Sequence, residues 1–443
     1  MLRLELAIKT QIKSNFGWLA IDKTLAIFHS LIVGAMVAKY LEPSKFGILA
    51  NALAIGAIMR PLVSLGSEQV VTRRFIHEDK RAGLYWTMFC TRIALGLMAC
   101  IAVFLCLYSG LVKLSDQTEA WVIIITTVPL IFSGFELSTL LLRADLLNKY
   151  GVIAINAVLL FVSASKILLI YMGMNILWFA AMNACNAALA GIVTFLVSRC
   201  LGLVPAFEFP NKEILLGVVR ECWPLIISSL SVVLYMNIDC LMLRTMDSSR
   251  EAGIYAVAAR LSMIWYFLPV ALGASFLPWL TKIYHDNPSR YRAALRRYFE
   301  INALLSYACV LVAFFTFPVL INLLFGPKYH ESLMVFQAHV FGVIFVFMGT
   351  ARAQHLNLAK MHVFNMTSTL LGLFINVALN LYLIPLYSSY GAAISTVISF
   401  SVSAYLSSFL FPQLSNIALL QTTSLLASPF KSYSILKELI HSR

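Results

Sequence analysis

The chain has 443 residues, of which 60% are hydrophobic and only 12% are charged. The apolar residues extend from one end to the other, so the composition excludes a soluble protein with one membrane anchor and indicates a polytopic membrane protein. Within each apolar stretch the hydrophobic residues are continuous and do not alternate with polar ones. This excludes a transmembrane β-barrel and predicts an all-α protein.

The formal net charge of +13 would suggest a nucleic-acid partner if the protein were soluble. In a membrane protein an excess of Lys and Arg marks the cytoplasmic side instead, so no nucleic acid is expected. The eight cysteines form no CxxC pair and lie mostly inside apolar runs, which argues against a disulfide framework or a zinc site. Asp22 and Lys23 interrupt the first apolar run, which argues against a cleaved signal peptide.

Apolar runs separated by Gly, Pro and charged clusters predict twelve transmembrane helices. In chain order the predicted spans are 16–38, 46–66, 84–108, 120–140, 151–171, 175–197, 222–243, 252–273, 302–325, 333–351, 362–385 and 388–411. Because this number is even, both chain ends are expected on the same side of the membrane.

Most of the 33 Lys and Arg residues fall at one set of span ends, which includes both termini. The opposite ends hold only Lys39, Lys45, Lys113, Arg244, Arg250 and Lys328. This bias predicts a multi-pass membrane protein whose N and C termini are cytoplasmic. The two longest cytoplasmic connections, about 198–221 and 274–301, are basic enough to contact anionic lipids.

Three short landmarks recur in the same order at a nearly constant offset, which predicts two copies of one six-helix unit. The pairs are Ser44–Ala52 with Arg250–Ala258, Leu65–Ser67 with Leu272–Ala274, and Arg143–Asn148 with Arg352–Asn357. We therefore predict an N-terminal lobe of helices 1–6 (1–210), a C-terminal lobe of helices 7–12 (211–411), and a cytoplasmic or interfacial tail (412–443). Two lobes related by a pseudo-two-fold axis along the membrane normal are typical of secondary transporters, so the repeat favours transport.

Charged residues inside the predicted spans are candidate functional residues, because exposing them to lipid is costly. Lys23, Arg92 and Arg260 lie roughly 10–14 Å from a span end, at 1.5 Å of rise per helical residue. They either line a central cavity, where they would bind an anionic substrate, or pair with acids. Both roles remain open.

Three acids, Asp22, Glu136 and Asp239, are candidates for ion coupling or for pairing with those cations. Glu136 and Asp239 lie close to span ends, as Lys166 does, so a position at the membrane interface accounts for them. The sequence contains no HExxH motif or histidine cluster, so we expect neither a catalytic residue nor a metal site.

Three segments resemble polysaccharide-biosynthesis transporters of the Wzx type, in the multidrug/oligosaccharidyl-lipid/polysaccharide exporter superfamily. They are VAKYLEPSKFGILANALAI (Val37 to Ile55), PLVSLGSEQVVTRRF (Pro61 to Phe75) and YMNIDCLMLRTMDSSREAGIYAVAARL (Tyr235 to Leu261). The resemblance implies a MATE-like fold with two six-helix lobes in a V around a cationic cavity. Asp239 matches the acid of the family's NxD pattern in helix 7, as Asn237-Ile238-Asp239.

The resemblance also implies a function. Such a flippase of the bacterial inner membrane moves an undecaprenyl-pyrophosphate-linked oligosaccharide, the unit of O-antigen, capsule or exopolysaccharide, from the cytoplasmic to the outer leaflet by alternating access. Its expected partners are this lipid-linked sugar, anionic lipids, and the polysaccharide polymerase or assembly machinery. No cofactor is implied beyond H⁺ or Na⁺ coupling, which stays open.

Two other functions compete with this one. An ion-coupled multidrug or small-molecule exporter of the same superfamily would have a cavity dominated by acids and aromatic residues. A membrane enzyme of lipid-linked glycan assembly would be expected to carry a large outward loop with catalytic side chains, and the predicted outward connections are all short. We therefore expect a transporter and not an enzyme.

Overall fold

The computed structural model describes residues 2–77, 81–110 and 114–426, with all their side chains except those of residues 2–24, 28, 30, 285 and 286. Every regular element in these ranges is helical, which confirms the predicted all-α fold. The chain divides into two compact units, Met1–Val233 and Leu234–Arg443. The predicted lobe boundary at 210/211 lies just before a long helix, Lys212–Met246, whereas the division between the units lies within that helix. The assignment of domains stays a prediction.

Seven helices belong to the first unit, and an eighth crosses the boundary between the units. They are α1 (Leu2–Ser64), α2 (Glu68–His77), α3 (Arg81–Tyr108), α4 (Gln117–Thr127), α5 (Leu137–Ala144), α6 (Asn148–Tyr171), α7 (Ile176–Cys200) and α8 (Lys212–Met246). A 3₁₀ segment, Val128–Gly134, joins α4 to α5, so the predicted fourth span is a composite of three short elements.

The second unit continues with α9 (Ser249–Met263), α10 (Phe267–Asp286), α11 (Pro288–Leu320), α12 (Ser332–His339), α13 (Gly342–Leu358), α14 (His362–Ser401) and α15 (Ser407–Leu410). Wider π-helical turns follow α11 at Ile321–Phe325 and α14 at Val402–Leu406. Residues 415–426 are also helical.

Ten elements of the described chain are long and apolar enough to cross a membrane. Two of them contain a residue with non-helical backbone angles, Glu42 in α1 (φ 65°) and Ser388 in α14 (φ 51°). These breaks lie in the connections predicted between spans 1 and 2 and between spans 11 and 12. The ten elements with their two breaks thus accommodate the twelve predicted spans, while the number of membrane crossings stays a prediction.

Several helices begin at a polar side chain that accepts a hydrogen bond from a backbone N–H of the first turn, as capped helices do. The capping residues are Asp116, Asn175, Asn211, Ser248 and Asn287. At Asp116 the cap is reciprocal, because the Glu119 carboxylate accepts in turn from the N–H of Ser115 at 2.8 Å. Local sequence therefore sets where these helices start.

Much of the two connections expected at 198–221 and 274–301 is helical, and their cytoplasmic position stays a prediction. Helix α8 begins at Lys212, and α10 and α11 are separated by the single residue Asn287. These helices continue from their apolar sections into polar sequence, whereas a search for apolar runs detects only the apolar sections.

The first unit has a core built from α2, α3, α5 and α8. Its buried members include Phe75, Tyr85 and Leu137. A tight turn follows α1, where Leu65 (φ 56°) and Gly66 (φ 53°) are both left-handed. A Cβ on Gly66 would lie 3.0 Å from the backbone of Leu225 in α8, so only glycine fits there.

The same turn geometry recurs in both units, after α5 in the first and after α13 in the second. Leu147 N–H donates to Leu142 O after α5, and Met361 N–H donates to Leu356 O after α13, both at 2.8 Å. Each turn has a left-handed residue one position earlier, Leu146 or Lys360. This is the Schellman arrangement, formed here without glycine. It adds a structural correspondence to the repeated sequence landmarks.

The second unit has its own core around α10, α11 and α13, with Tyr298, Phe299 and Met348 fully buried. The helix at 415–426 joins this core through Ile417 and Leu420. This first part of the predicted 412–443 tail therefore packs against protein, and residues 427–443 lie outside the described chain.

Candidate functional site

Asp239 on α8 is buried, with 1% of its surface exposed. Its Oδ2 accepts hydrogen bonds from the hydroxyls of Tyr255 at 2.6 Å and Thr396 at 2.7 Å. Its Oδ1 accepts from the amide nitrogens of Asn376 at 3.1 Å and Asn380 at 2.6 Å. All four partners are neutral, and no described cation forms an ion pair with this carboxylate. The described surroundings of this buried carboxyl group are thus dipoles without an opposite charge.

The position of this cluster depends on the break in α14. Asn380 precedes Ser388 and Thr396 follows it, yet both contact the same carboxylate. In a straight helix these two residues would be about 24 Å apart, at 1.5 Å per residue. Helix α14 therefore reverses at Ser388, and its two arms converge on Asp239.

The donor set has the chemistry of a small-cation site. The single hydroxyl proton of Thr396 has two acceptors in reach, Asp239 Oδ2 and the carbonyl of Ala392 at 2.9 Å. When it donates to Ala392, the Thr396 oxygen presents lone pairs beside the carboxylate. The Oδ1 of Asn380 is buried and has no hydrogen-bond partner. Carboxylate, amide and hydroxyl oxygens are the ligands that hard cations prefer.

Further polar atoms with no hydrogen-bond partner lie in the same unit. Both ring nitrogens of His339 and the hydroxyls of Tyr235 and Tyr266 are buried without one. The His339 ring packs edge-on against Tyr255, with centroids 5.8 Å apart. Buried polar atoms are usually paired with protein or with ordered water, so these atoms can accept or donate further hydrogen bonds.

A second polar network ties together the ends of three helices of this unit. Arg250 at the start of α9 donates two hydrogen bonds of 2.8 Å to Glu331, which precedes α12. Glu251 accepts from the hydroxyl of Ser389, beside the break in α14, at 2.6 Å. The Arg250 guanidinium holds the pKa of the Glu331 carboxyl below its usual range. The network fixes the turn of α14 to α9.

Arg92, a predicted substrate-binding residue, lies inside the first unit with 1% of its surface exposed. Its Nη2 donates to the Ser67 hydroxyl at 3.0 Å and approaches Ser64 O at 3.5 Å. No described carboxylate forms an ion pair with it, and its Nε has no partner. Arg92 therefore stabilises the carbonyl end of α1, as cations at helix C-termini do. Its role in binding stays a prediction.

The other predicted cations are placed differently. Arg260 on α9 is partly buried. Lys23 and Asp22 lie in the helical part of α1, but their side chains are outside the described residues. Because Arg92 belongs to the first unit and Arg260 to the second, their assembly into one cavity stays a prediction.

Glu136 forms an ion pair with Arg60, at 2.9 Å, within the first unit. Both side chains are partly exposed, at 26% and 54%. Glu136 thus pairs with a cation outside the set Lys23, Arg92 and Arg260, and its role in ion coupling stays a prediction.

Proximity to a span end proved a poor guide for two residues. Asp239 and Lys166 are both buried, although their positions suggested exposure at the interface. Lys166 donates to the side-chain oxygen of Asn183 at 2.9 Å. Neighbouring helices cover these side chains, and the distance along one helix does not reveal such cover.

The sequence analysis did not identify one buried cation. Arg352 on α13, assigned to a basic span end, has 2% of its surface exposed. It donates to the hydroxyls of Ser407 at 2.7 Å and Ser408 at 3.1 Å, and to Ser403 O at 2.7 Å. Its counterpart in the repeat, Arg143, is exposed beside Glu68. The serine-rich end of the last predicted span was the available signal.

No metal-binding group of three or more His, Cys, Asp or Glu side chains is found among the described residues. All eight cysteines are free. The cation-site candidate at Asp239 is distinct from such clusters, because its other ligands are amides and hydroxyls.

The fold matches solved transporters over nearly the whole chain. The lipid II flippase MurJ in an inward closed conformation matches with a TM-score of 0.66 and 14% identity, over 95% of this chain and 92% of that one. An inward-facing MATE multidrug transporter of the MOP superfamily matches with a TM-score of 0.61 and 15% identity, over 94% and 95%. The fold is that of MOP-superfamily transporters.

Sequence comparison adds the family. Residues 12–284 match the profile described as polysaccharide biosynthesis protein, so the chain belongs to this family. The capsular polysaccharide biosynthesis protein CapF of Staphylococcus aureus is 27% identical over 40% of this chain and 45% of its own length. The lipopolysaccharide biosynthesis protein WzxC of Escherichia coli K12 is 22% identical over 75% of this chain and 67% of its own. The chain therefore matches less than half the length of CapF.

Proposed function

We propose that the protein is a flippase that moves an undecaprenyl-pyrophosphate-linked oligosaccharide, a unit of O-antigen, capsule or exopolysaccharide, from the cytoplasmic to the outer leaflet of the inner membrane. The observation that carries the proposal is membership of the polysaccharide biosynthesis family. Two further findings support it, a relative named for lipopolysaccharide biosynthesis and a fold shared with a lipid II flippase.

The physical task fits a helical protein with charges inside its membrane section. The lipid tail stays in the bilayer throughout, whereas the sugar and the diphosphate must be kept out of hydrocarbon. Lys23, Arg92 and Arg260 are the proposed diphosphate ligands. Of the two whose side chains are described, Arg260 is the more exposed, and we propose that it reaches the substrate directly. For Arg92 to do so, the turn at Ser64–Ser67 must open.

We propose Asp239 as the residue through which H⁺ or Na⁺ drives the cycle. Asp239, Thr396 and the two asparagines of α14 would hold the ion, which would neutralise the buried carboxylate. These ligands come from α8 and both arms of α14, and Tyr255 of α9 also contacts Asp239, so ion binding would change the forces between those helices. A change of this kind is what alternating access requires.

The proposal includes partners on both sides of the membrane. Anionic lipids would contact the basic helix ends at the cytoplasmic surface, where the orientation predicted from Lys and Arg places them. The flipped unit would be taken up by polysaccharide polymerase or other assembly machinery at the outer face.

Deletion of the gene tests the function directly. We expect the lipid-linked oligosaccharide to accumulate in the inner leaflet, where an impermeant sugar-oxidising reagent applied to intact spheroplasts leaves it unmodified, and we expect surface polymer to be lost. Expression of the intact chain should restore both. Unchanged pools and unchanged surface polymer after deletion would overturn the proposal.

An ion-coupled multidrug exporter is the second candidate, because a MATE transporter shares the fold. The candidates differ in what they require of the cations. Neutralising Lys23, Arg92 and Arg260 together should abolish the transport of a diphosphate but leave drug export intact. Drug-susceptibility assays on the triple variant, expressed to the level of the unmodified protein, separate the two.

A further inference from the structure

An open pocket lies at the junction of α10 and α11, within the second unit. It has a volume of about 480 Å³ and is separate from the Asp239 cluster. Its lining includes Trp279, Lys282, Ile283, Asn287, Arg290 and Arg297.

The described lining of this pocket is cationic. It contains Lys282, Arg290 and Arg297 and no acidic side chain. Neither Lys282 nor Arg290 makes a side-chain hydrogen bond or ion pair with any described residue. Neighbouring basic residues of α11 behave differently, since Arg296 pairs with Glu300 at 3.1 Å and Arg292 donates to the side chain of Asn416 at 3.4 Å. Within the described part of the chain, Lys282 and Arg290 thus bring positive charge without a side-chain partner to the face that lines the pocket.

The pocket also lies where a membrane surface is expected. The apolar element Ser249–Tyr284 ends there and the next one, Pro288–Phe325, begins. Trp279 is 45% exposed at the pocket wall, and tryptophan is enriched at the level of lipid headgroups. Its neighbour Phe276 packs on the buried Tyr298, with ring centroids 5.2 Å apart. The wall is therefore supported by the core of the unit.

At the start of α11 the Asn287 side chain already accepts the N–H of Arg290 at 3.0 Å. That backbone donor is therefore occupied, and the side chains of the pocket are the proposed contacts to a ligand.

We infer that this pocket binds the headgroup phosphate of an anionic phospholipid. Lys282, Arg290 and Arg297 surround the phosphate, and Trp279 packs beside the glycerol and the first acyl carbons. Basic pockets between transmembrane helices recognise anionic headgroups in this way. A diester phosphate at the end of an acyl chain satisfies both the charge and the interfacial aromatic, whereas free phosphate satisfies only the charge. The inference does not depend on what the protein transports.

The test uses the purified full-length protein in a neutral detergent and native mass spectrometry. The probes are phosphatidylglycerol, phosphatidylcholine and inorganic phosphate. We expect phosphatidylglycerol to bind at least tenfold more tightly than phosphatidylcholine, and inorganic phosphate not to displace it at millimolar concentration. The double variant Lys282→Gln with Arg290→Gln should bind phosphatidylglycerol about thirtyfold more weakly, at about 1 kcal/mol per basic residue near the surface.

The matched control is Arg292→Gln with Arg296→Gln, which removes the same number of positive charges from α11 outside the pocket and should retain the affinity. Bromine-labelled phosphatidylglycerol gives a second readout. It should quench Trp279, seen as the difference between the unmodified protein and Trp279→Phe. Equal losses in both double variants, equal affinity for phosphatidylcholine, full displacement by phosphate, or absent quenching would each overturn the inference.

Discussion

At the scale of single residues, Asp239 has the least usual environment described here. A buried carboxylate that faces only neutral donors is expensive unless a cation joins it for part of the time. Thr396 and Asn380 can each turn an oxygen toward it. The cluster can therefore either donate hydrogen bonds to the carboxylate or, together with the carboxylate, coordinate a cation.

We therefore predict that Asp239 is required for the coupling ion to stabilise the protein against thermal unfolding. Na⁺, compared with choline at equal ionic strength, should raise the Tm of the purified protein by a few degrees, because a ligand that binds only the folded state stabilises it. Asp239→Asn should abolish the shift. The measurement is thermal unfolding at several Na⁺ concentrations and at two pH values.

Glu136→Gln is the control for that experiment, because it also removes a carboxylate from the predicted spans. Glu136 is paired with Arg60, so this variant should keep the full response. A Tm that changes with pH but not with Na⁺, and that no longer does so in Asp239→Asn, would identify H⁺ as the coupling ion. A response to Na⁺ that persists in Asp239→Asn would exclude the site.

Arg352 leads to a different prediction at the same scale. The hydroxyls around it keep other partners when it is removed, since Ser407 donates to Ser403 O at 2.8 Å and Ser408 to Gln421 at 3.0 Å. Arg352 forms no ion pair with a described residue, so its replacement by an apolar side chain of similar volume removes a buried charge without leaving an opposite charge unpaired. We expect Arg352→Met to lower the free energy of unfolding by less than about 1 kcal/mol.

Arg352→Glu is the contrasting variant, because it places a carboxylate against oxygen acceptors, and it should prevent folding. Size-exclusion profiles and thermal unfolding of both proteins check this. A folded Arg352→Met protein that has lost transport would show that the guanidinium is retained for function. Failure of Arg352→Met to fold would contradict the hydrogen-bond argument.

At the scale of elements, the break at Ser388 determines the course of α14 in the second unit, because it brings both arms of this helix to Asp239. Ser388 has φ 51°, which is unfavourable for any residue except glycine. Relief of such strain is worth about 1–3 kcal/mol, against about 0.5–1 kcal/mol for the greater freedom of glycine in the unfolded chain. Ser388→Gly should therefore stabilise the protein by about 1 kcal/mol.

The adjacent serine supplies the control. Ser389 is buried and donates to Glu251, so Ser389→Gly should destabilise the protein by about 1 kcal/mol through the lost hydrogen bond. Thermal unfolding of the two variants side by side gives the comparison. Equal destabilisation in both would show that the Ser388 backbone is not strained.

Elements could be predicted from the sequence where apolar length decides them. The break at Glu42 lies between spans 1 and 2 because Glu-Pro-Ser-Lys interrupts two apolar runs, and the same search located α3, α6 and α7. It missed the polar beginnings of α8 and α11. Such segments are helical because of a capping residue and contacts with neighbouring helices, which hydropathy does not measure.

The site was predictable only in part, for a related reason. The sequence identified Asp239 as a charge within a span, but its ligands Asn376, Asn380 and Thr396 are ordinary polar residues far along the chain. Their convergence depends on the reversal at Ser388. Arg92 and Arg352 show the same limit, because helix packing places each of them among serine hydroxyls and backbone carbonyls.

At the scale of the whole molecule, the charge carried per cycle separates the two candidate functions. A flippase moves about two negative charges of a diphosphate outward, and an inside-negative potential favours this by ~2.3 kcal/mol per charge per 100 mV. If one cation enters at Asp239 in the same cycle, the total is about 7 kcal/mol per 100 mV. An antiporter that exchanges a monovalent cationic drug for one cation moves no net charge.

In proteoliposomes with a K⁺ diffusion potential, we therefore expect a lipid-linked oligosaccharide to accumulate in the leaflet of the positive side, and to redistribute when the potential is removed. Asp239→Asn should lower the voltage dependence from about three charges to about two, because the diphosphate still moves while the coupling cation does not. The measurement is the fraction of the lipid-linked sugar that an impermeant reagent can modify, at several potentials, with a neutral glycolipid as control. A distribution that is independent of potential would contradict flipping of the diphosphate, and voltage-independent export of a cationic drug by the same vesicles would favour the antiporter.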